Sequence, residues 1–299
     1  MRQNDSHGLL FALAGFALLS VGDAVIKSIA GAWPGTAVAL TRYAIGVALL
    51  GTLLWRREGR GGFRLTRWRW HMLRGFGVGI ATVGFFSALF VMPLAEATSI
   101  SFTSPILTAL LAAAILGERL RPVSLVAMLL AFVGVVIVLR PSFAELGLVA
   151  LLPLLAALGM SLLMLGNRAV AGSGSPLAMQ FAVAAMALPV LVAVNLAGHF
   201  SGLPQYRIGT PDWTIVARCA LVAGTASAAH WLIYLGTERT SAARAAPMTY
   251  VQLLMALGLG WALFGDRPDL IALGGAAVII AGGLLLWWSG RLTEPSMTD

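Results

Sequence analysis

The sequence contains few charged residues and a single cysteine. Only 11% of its 299 residues are charged, whereas 59% are hydrophobic, and the mean hydropathy is +0.88. A water-soluble core cannot bury that much apolar surface, so the composition indicates a protein of the lipid bilayer. The lone thiol, Cys219, excludes an internal disulfide framework and any cysteine-based metal cluster.

Motifs for metals and nucleotides are also missing. The four histidines, His7, His71, His199 and His230, lie in different segments, which argues against an intramembrane metal hydrolase. No Gly-x-x-x-x-Gly-Lys phosphate loop occurs, so ATP-driven transport would need a partner chain. A membrane enzyme would need a clustered nucleophile, base and metal set. We therefore predict no enzyme activity, no cofactor and no metal.

Long apolar segments recur along the whole chain. A helix needs about 20 mostly apolar residues to cross a bilayer. The predicted spans are 9–30, 35–55, 72–92, 96–116, 122–140, 147–167, 176–197, 213–235, 243–264 and 269–288. The sequence therefore predicts an all-α membrane protein with ten transmembrane helices.

One sequence unit occurs twice. Leu-Gly-Glu-Arg at 116–119 returns as Phe-Gly-Asp-Arg at 264–267, and in both places it joins two apolar segments. A repeat of this length indicates a duplicated structural unit. Because each copy would cross the bilayer five times, the second copy would be upside down relative to the first. We predict two inverted five-helix repeats, 1–145 and 146–299, in one membrane domain, an architecture typical of secondary transporters.

The basic residues predict the orientation. The net charge is +8, but the arginines lie mainly in the short connections, so the positive-inside rule explains them better than nucleic-acid binding does. With the N-terminus in the cytoplasm, fourteen arginines fall inside, and only Arg140, Arg207, Arg218 and Arg267 fall outside. We predict a multi-pass protein of the bacterial cytoplasmic (inner) membrane with both termini in the cytoplasm.

Ionisable residues inside a span are costly, so each is a candidate functional residue. Lys27, the only lysine, lies four residues after Asp23 on the same helical face. Arg42 in the second span should lie at a similar depth, so the three could form one buried network. This network could bind a carboxylate or carry a proton, or it could be a structural cluster in which Lys27 extends outward. Glu96 is predicted to be interfacial and is a further candidate for coupling.

A second constellation lies in the eighth and ninth spans. His230, Trp231 and Tyr234 lie in the eighth span, and Tyr250 and Gln252 lie early in the ninth. Trp231 is well inside its span, so it is a candidate wall for an aromatic or apolar substrate. The alternative is helix packing, which is the commoner role of a lone histidine.

Prolines near the start of two spans predict interrupted helices. The fourth span opens with a run of hydroxyl residues at 97–104 that ends at Pro105, and Pro247 has a comparable position in the ninth. Interrupted helices at corresponding places in two repeats indicate a transport site, and Ser101 is the candidate ligand there. Ordinary packing of Ser and Thr is the alternative.

Glycines predict close helix contacts. They occur at Gly75 and Gly79 in the third span and at Gly274, Gly275, Gly282 and Gly283 in the tenth. Such small-residue faces could also join two copies of the chain in a homodimer.

The two joins at 116–119 and 264–267, with the stretch from Ile26-Lys27 through Trp33-Pro34 to Thr41-Arg42-Tyr43, resemble the EamA-type members of the drug/metabolite transporter superfamily. The resemblance covers nearly the whole chain and implies ten helices in two inverted repeats, with spans 1–4 and 6–9 around a central cavity. Asp266 stands where the family usually has Glu. The family's Lys and Arg pattern maps onto Lys27 and Arg42, which favours scaffold roles for both.

The resemblance implies transport without fixing the substrate, because relatives export amino acids, drugs and sugars or import nucleotide-like metabolites. A zwitterion fits the sequence: Arg42 or Lys27 could receive a carboxylate, and Trp231, Tyr234 and Phe86 could receive a side chain. We predict a secondary transporter that exports amino acids, with aromatic or apolar ones first, or related small metabolites. A multidrug or nucleoside-like metabolite transporter, and a membrane channel or sensor, stay open.

Overall fold

The computed structural model describes residues 2–116, 122–170, 172–239 and 246–291, and these residues fold into helices and short turns. The helices are α1 Arg2–Lys27, α2 Gly35–Glu58, α3 Trp68–Leu89, α4 Leu94–Ser101, α5 Ser104–Leu116, α6 Pro122–Leu146, α7 Leu152–Ala169, α8 Pro176–Phe200, α9 Trp213–Arg239, α10 Val251–Leu259 and α11 Leu270–Arg291. A 3₁₀ turn, Ala246–Tyr250, precedes α10, and a π turn, Gly260–Phe264, follows it.

Seven helical segments are long and apolar enough to cross a bilayer, and they coincide with predicted spans 1–4 and 6–8. Three shorter apolar helices, Leu125–Arg140, Met248–Phe264 and Leu270–Leu285, coincide with predicted spans 5, 9 and 10. The prediction of an all-α, multi-pass membrane protein is therefore confirmed. Helix α6 continues through Pro141 to Leu146, beyond the predicted end of the fifth span.

The fourth span is interrupted where the hydroxyl run ends, between Ser101 and Ser104. The hydroxyls of Thr98, Ser99 and Ser101 each donate to a backbone carbonyl four residues earlier, at 2.7 to 2.8 Å. These bonds satisfy the hydroxyls within α4 itself. In the ninth span, Pro247 lies in the 3₁₀ turn before α10.

Three antiparallel helix pairs form the frame: α1 with α9, α3 with α7, and α6 with α11. Glycine allows the close approach in each pair. A Cβ atom on Gly159 of α7, for example, would lie 2.4 Å from the carbonyl oxygen of Gly77 in α3. Gly75 and Gly79 face Met186 and Val190 of α8. These predicted glycine faces therefore serve contacts within the chain.

A large cluster of buried apolar side chains lies at the end of the bundle where α1 ends, here called the Lys27 end. Its larger members are Ile26, Ile29, Val38, Phe86, Leu89, Met92, Leu94, Leu191, Ile215, Cys219 and Val222. They come from α1, α2, α3, α4, α8 and α9. This Lys27-end cluster therefore packs helices from both halves of the chain against one another.

Candidate functional site

A cavity of about 440 Å³ lies between helices of the two halves. Its polar and aromatic lining residues are Asp23, Arg42, Tyr43, Arg74, Thr82, Phe85, Phe86, Thr98, Ser101, Phe102, Ser104, Asn167, Gln180, Ser227, His230 and Gln252. The structure thus brings together six of the residues that the sequence singled out: Asp23, Arg42, Phe86, Ser101, His230 and Gln252. Their roles in binding stay predictions.

Three of the predicted substrate-binding residues, Trp231, Tyr234 and Tyr250, do not line this cavity. Trp231 follows His230 directly, so it points about 100° away around α9; it is 47% exposed and packs on the ring of Tyr234 at 5.8 Å. Tyr250 packs edge-on against Phe102, with ring centroids 5.6 Å apart. Trp231 therefore does not line this cavity, and its role in binding stays a prediction.

The guanidinium group of Arg42 lies beside aromatic rings that line the cavity. Its guanidinium lies 4.9 Å from the ring centroid of Tyr43 and 5.6 Å from that of Phe86. Such cation–π contacts stabilise the cation without neutralising it. Within the described part of the chain, no carboxylate oxygen lies within 4 Å of this guanidinium. Asp23 lines the same cavity, so an acid and a base face one space without forming a salt bridge.

Lys27 forms an ion pair that the sequence did not predict. Its Nζ atom lies 2.7 Å from Oδ2 of Asp266 and donates to the carbonyl of Met92 at 3.1 Å. The same Oδ2 atom accepts the N–H of Leu94 at 3.1 Å, at the start of α4. The predicted network of Asp23, Lys27 and Arg42 is not formed, because the long lysine side chain extends toward the end of the bundle.

The Lys27 pair borders a second depression, of about 490 Å³. This depression shares no lining residue with the central cavity. The Lys27-end cluster contains Phe86, which lines the central cavity, and Leu89 and Met92, which line the depression, so its side chains separate the two spaces. The central cavity is therefore closed toward the Lys27 end.

The central cavity extends toward the other end of the bundle. It reaches Asn167, two residues before the end of α7, and Gln180, four residues after the start of α8. At 1.5 Å per residue, Gln180 lies only about 6 Å from the start of its helix. We call this side the Arg74 end.

Two charged residues near the starts of their helices are buried against other helices. Glu96, predicted to be interfacial, lies two residues after the start of α4 at 7% exposure, and its depth in the membrane stays a prediction. Arg74 was counted among the fourteen arginines on the cytoplasmic side and given no role in a site, but it lies on the buried face of α3, at 5% exposure, and lines the cavity. Its place inside the predicted third span was the signal that could have identified it.

Comparisons with known proteins agree with this geometry. The sequence model of the EamA-like transporter family matches residues 6–140 and again residues 147–288. A riboflavin transporter from Vibrio cholerae is 25% identical over 97% of this chain and 96% of its own length. An S-adenosylmethionine uptake transporter from Rickettsia prowazekii is 24% identical, with 97% and 95% covered.

Two further similarities cover almost the whole chain. The pseudopaline exporter CntI from Pseudomonas aeruginosa is 24% identical over 93% of this chain and 95% of its own length. A solved crystal structure shares the fold with a TM-score of 0.59 and 22% identity, covering 95% and 98% of the two chains. Because the family model matches both halves, this chain belongs to the EamA-like transporter family.

Proposed function

We propose that this membrane transporter carries a small zwitterionic or anionic organic metabolite with an aromatic or apolar portion, by alternating access. The observation that carries the proposal is the position of Arg42, which lines the cavity beside Phe86 with no carboxylate oxygen within 4 Å in the described residues. The cavity volume of about 440 Å³ falls in the range of small-molecule sites, about 300–1,000 Å³.

The proposal includes two inverted five-helix repeats, 1–145 and 146–299. The family model matches the chain twice, which supports the duplication. The helix pairs also support it. The first and third helices are α1 and α3 in one repeat and α7 and α9 in the other. In both cases the first helix of one repeat pairs with the third helix of the other, α1 with α9 and α7 with α3. Alternating access then corresponds to rocking of the two repeats around the central cavity.

The proposed substrate class includes amino acids. An aromatic amino acid has a carboxylate for Arg42, an ammonium group for Asp23 and a ring that can pack on Phe86. The relative named for S-adenosylmethionine, which carries a carboxylate and an ammonium group, supports extending the class to larger metabolites. Riboflavin, for which another relative is named, is neutral and serves in the test as the uncharged comparison.

The proposed direction is export across the cytoplasmic membrane. With the N-terminus in the cytoplasm, the Lys27 end faces outward and the Arg74 end faces the cytoplasm. The closed Lys27 end and the extension of the cavity toward the Arg74 end then correspond to a state that loads from inside. Relatives are named for uptake as well as export, so direction has to be measured.

The test is exchange of labelled compounds in proteoliposomes. The panel contains phenylalanine, tryptophan, riboflavin and S-adenosylmethionine, and we expect saturable counterflow of at least one charged member. Arg42→Ala should lower that flux about 10-fold or more, since hydrogen bonds to charged groups contribute about 1.5–3 kcal/mol. Arg57→Ala, on an exposed part of the same helix, is the matched control.

Three results would count against the proposal. Flux without saturation or counterflow would indicate a channel. Transport of neutral compounds only, or equal flux in wild type and Arg42→Ala, would remove the proposed anion site.

A further inference from the structure

We propose that Arg74 forms a second anion-binding position in the central cavity, at the opposite end from Arg42, for a carboxylate or phosphate group of an organic metabolite. The inference rests on the proposed function only in placing such a metabolite in this cavity. It adds a specificity residue that the sequence analysis had counted only among the arginines of the cytoplasmic side.

The first argument is the charge of Arg74. The side chain is 5% exposed, and its guanidinium has three protein partners: Asn167, His71 and Met179. Nε donates to Oδ1 of Asn167 at 2.6 Å, and Nη1 lies 2.9 Å from Nδ1 of His71. None of the three is an acid, and no carboxylate oxygen among the described residues lies within 4 Å. A buried charge of this kind is costly unless an opposite charge meets it.

The second argument is the remaining hydrogen-bonding capacity. An arginine side chain has five N–H donors in a planar fork. The partner of Nη2 is the carbonyl oxygen of Met179 at 3.5 Å, which is the long limit of a hydrogen bond, and Nη1 also approaches the Met179 sulfur at 3.6 Å. Donor capacity at Nη2 is therefore available to an oxyanion, which arginine recognises well.

The third argument is that neighbouring residues hold the side chain in place. Gly166 of α7 packs on its stem, so closely that a Cβ there would lie 2.4 Å from Cγ of Arg74. Asn167, the next residue, fixes Nε and also lines the cavity. A group fixed by packing and hydrogen bonds on rigid helices is suited to bind a ligand at low entropic cost.

The position differs from that of Arg42. The Arg42 guanidinium lies over Phe86, and Phe86 follows Arg74 by twelve residues along α3. Twelve residues correspond to about 18 Å between the backbone positions of Arg74 and Phe86 along the helix axis. Arg42 and Arg74 therefore line different parts of the cavity, and we infer that they provide separate positions. Among the described lining residues, the two arginines outnumber the single carboxylate, Asp23, which favours a positive potential in the cavity.

The experiment compares ligands that differ only in their anionic group. Purified full-length protein is titrated with riboflavin and riboflavin 5′-phosphate, and with phenylalaninamide and phenylalanine, and binding is followed by thermal shift. The first pair tests a phosphate and the second a carboxylate. We expect wild type to prefer the anionic member of at least one pair, and Arg74→Gln to lower that preference about 10-fold or more.

Matched variants separate binding from structure. Arg69→Gln removes an exposed arginine of the same helix and should leave the preference unchanged. Arg74→Lys keeps the charge and should retain part of the preference for the anionic ligand. It replaces Arg74→Gln as the test variant if Arg74→Gln does not fold. In the double variant Arg42→Gln and Arg74→Gln, the two ligands of each pair should bind with equal affinity.

The proposal is overturned if wild type shows no preference for the anionic member of either pair. It is also overturned if Arg74→Gln weakens both members of a pair equally, as a structural role would require. Failure of the proposed function is seen separately, as the absence of saturable counterflow in proteoliposomes.

Discussion

Removing the charge of Asp266 should open the Lys27 end of the cavity. Lys27 and Asp266 are joined at 2.7 Å, their side chains are 11% and 16% exposed, and the same oxygen accepts the N–H of Leu94. Asp266→Asn keeps the shape of the side chain and an acceptor for Leu94, but loses the ion pair. Hydrogen bonds to charged groups contribute about 1.5–3 kcal/mol, so the ratio of open to closed states should rise roughly 10- to 150-fold.

The native cysteine provides the assay. Cys219 is the only cysteine, is fully buried, and belongs to the Lys27-end cluster that has to part before the cavity can open on this side. Its rate of labelling by a membrane-impermeant maleimide therefore measures the open population. We expect the rate in Asp266→Asn to rise by the same 10- to 150-fold, roughly, provided that opening is fast relative to labelling.

A nearby acid serves as the control. Asp269 lies three residues further along and accepts the N–H of Ala272 at 2.6 Å, without contacting Lys27. Asp269→Asn should leave the labelling rate unchanged. Equal rates in wild type and Asp266→Asn would refute the reasoning. A rise shared with Asp269→Asn would also refute it, since it would indicate general loosening of this part of the chain.

Four further outcomes are expected. Gly159→Ala should lower the thermal stability in detergent by about 1–3 kcal/mol, because the new Cβ would meet the backbone of α3, whereas Gly224→Ala, with nothing within 4 Å, should not. Ser175→Ala should cost about 1 kcal/mol in the same melt, because the Ser175 hydroxyl caps α8 by accepting the N–H of Ala178. If Asp23 carries a coupling proton, Asp23→Asn should abolish transport driven by a pH gradient but retain counterflow; undiminished gradient-driven transport would remove Asp23 from that role. In a Cys219→Ala background, cysteines at the exposed positions Arg60 and Arg267 should react from opposite sides of the membrane, and labelling from one side would overturn the inverted repeat.

The sequence predicted the helical segments better than it predicted the partners of charged side chains. Apolar length and punctuation by proline are local properties, so the helices agree with most predicted spans. The partner of Lys27 is Asp266, which is 239 positions away, whereas the predicted partner Asp23 lies one turn away on the same helix. Helical spacing identifies residues that share a face, but it does not indicate which distant segment packs against that face.

The constellation in the eighth span shows the same limit. The period of a helix groups His230 with Tyr234, but of these two only His230 lines the cavity, whereas Tyr234 packs on the ring of Trp231. Arg74 was missed for the opposite reason. The positive-inside rule assigns arginines near span ends to the cytoplasmic side, and it carries no information on which of them the fold turns toward a cavity.

The structure also explains why the repeated join contains a glycine and an acid. Gly265 has a φ of +69°, the left-handed region that glycine adopts without steric cost, and it ends the π turn after α10. After the turn, the backbone N–H of Asp266 donates to the carbonyl oxygen of Gly260 at 3.1 Å. The Asp266 carboxylate then points toward Lys27 and the start of α4. The glycine therefore sets the direction of the chain, and the acid joins the two halves of the molecule. The first copy of this join, 117–119 after Leu116, lies outside the described residues.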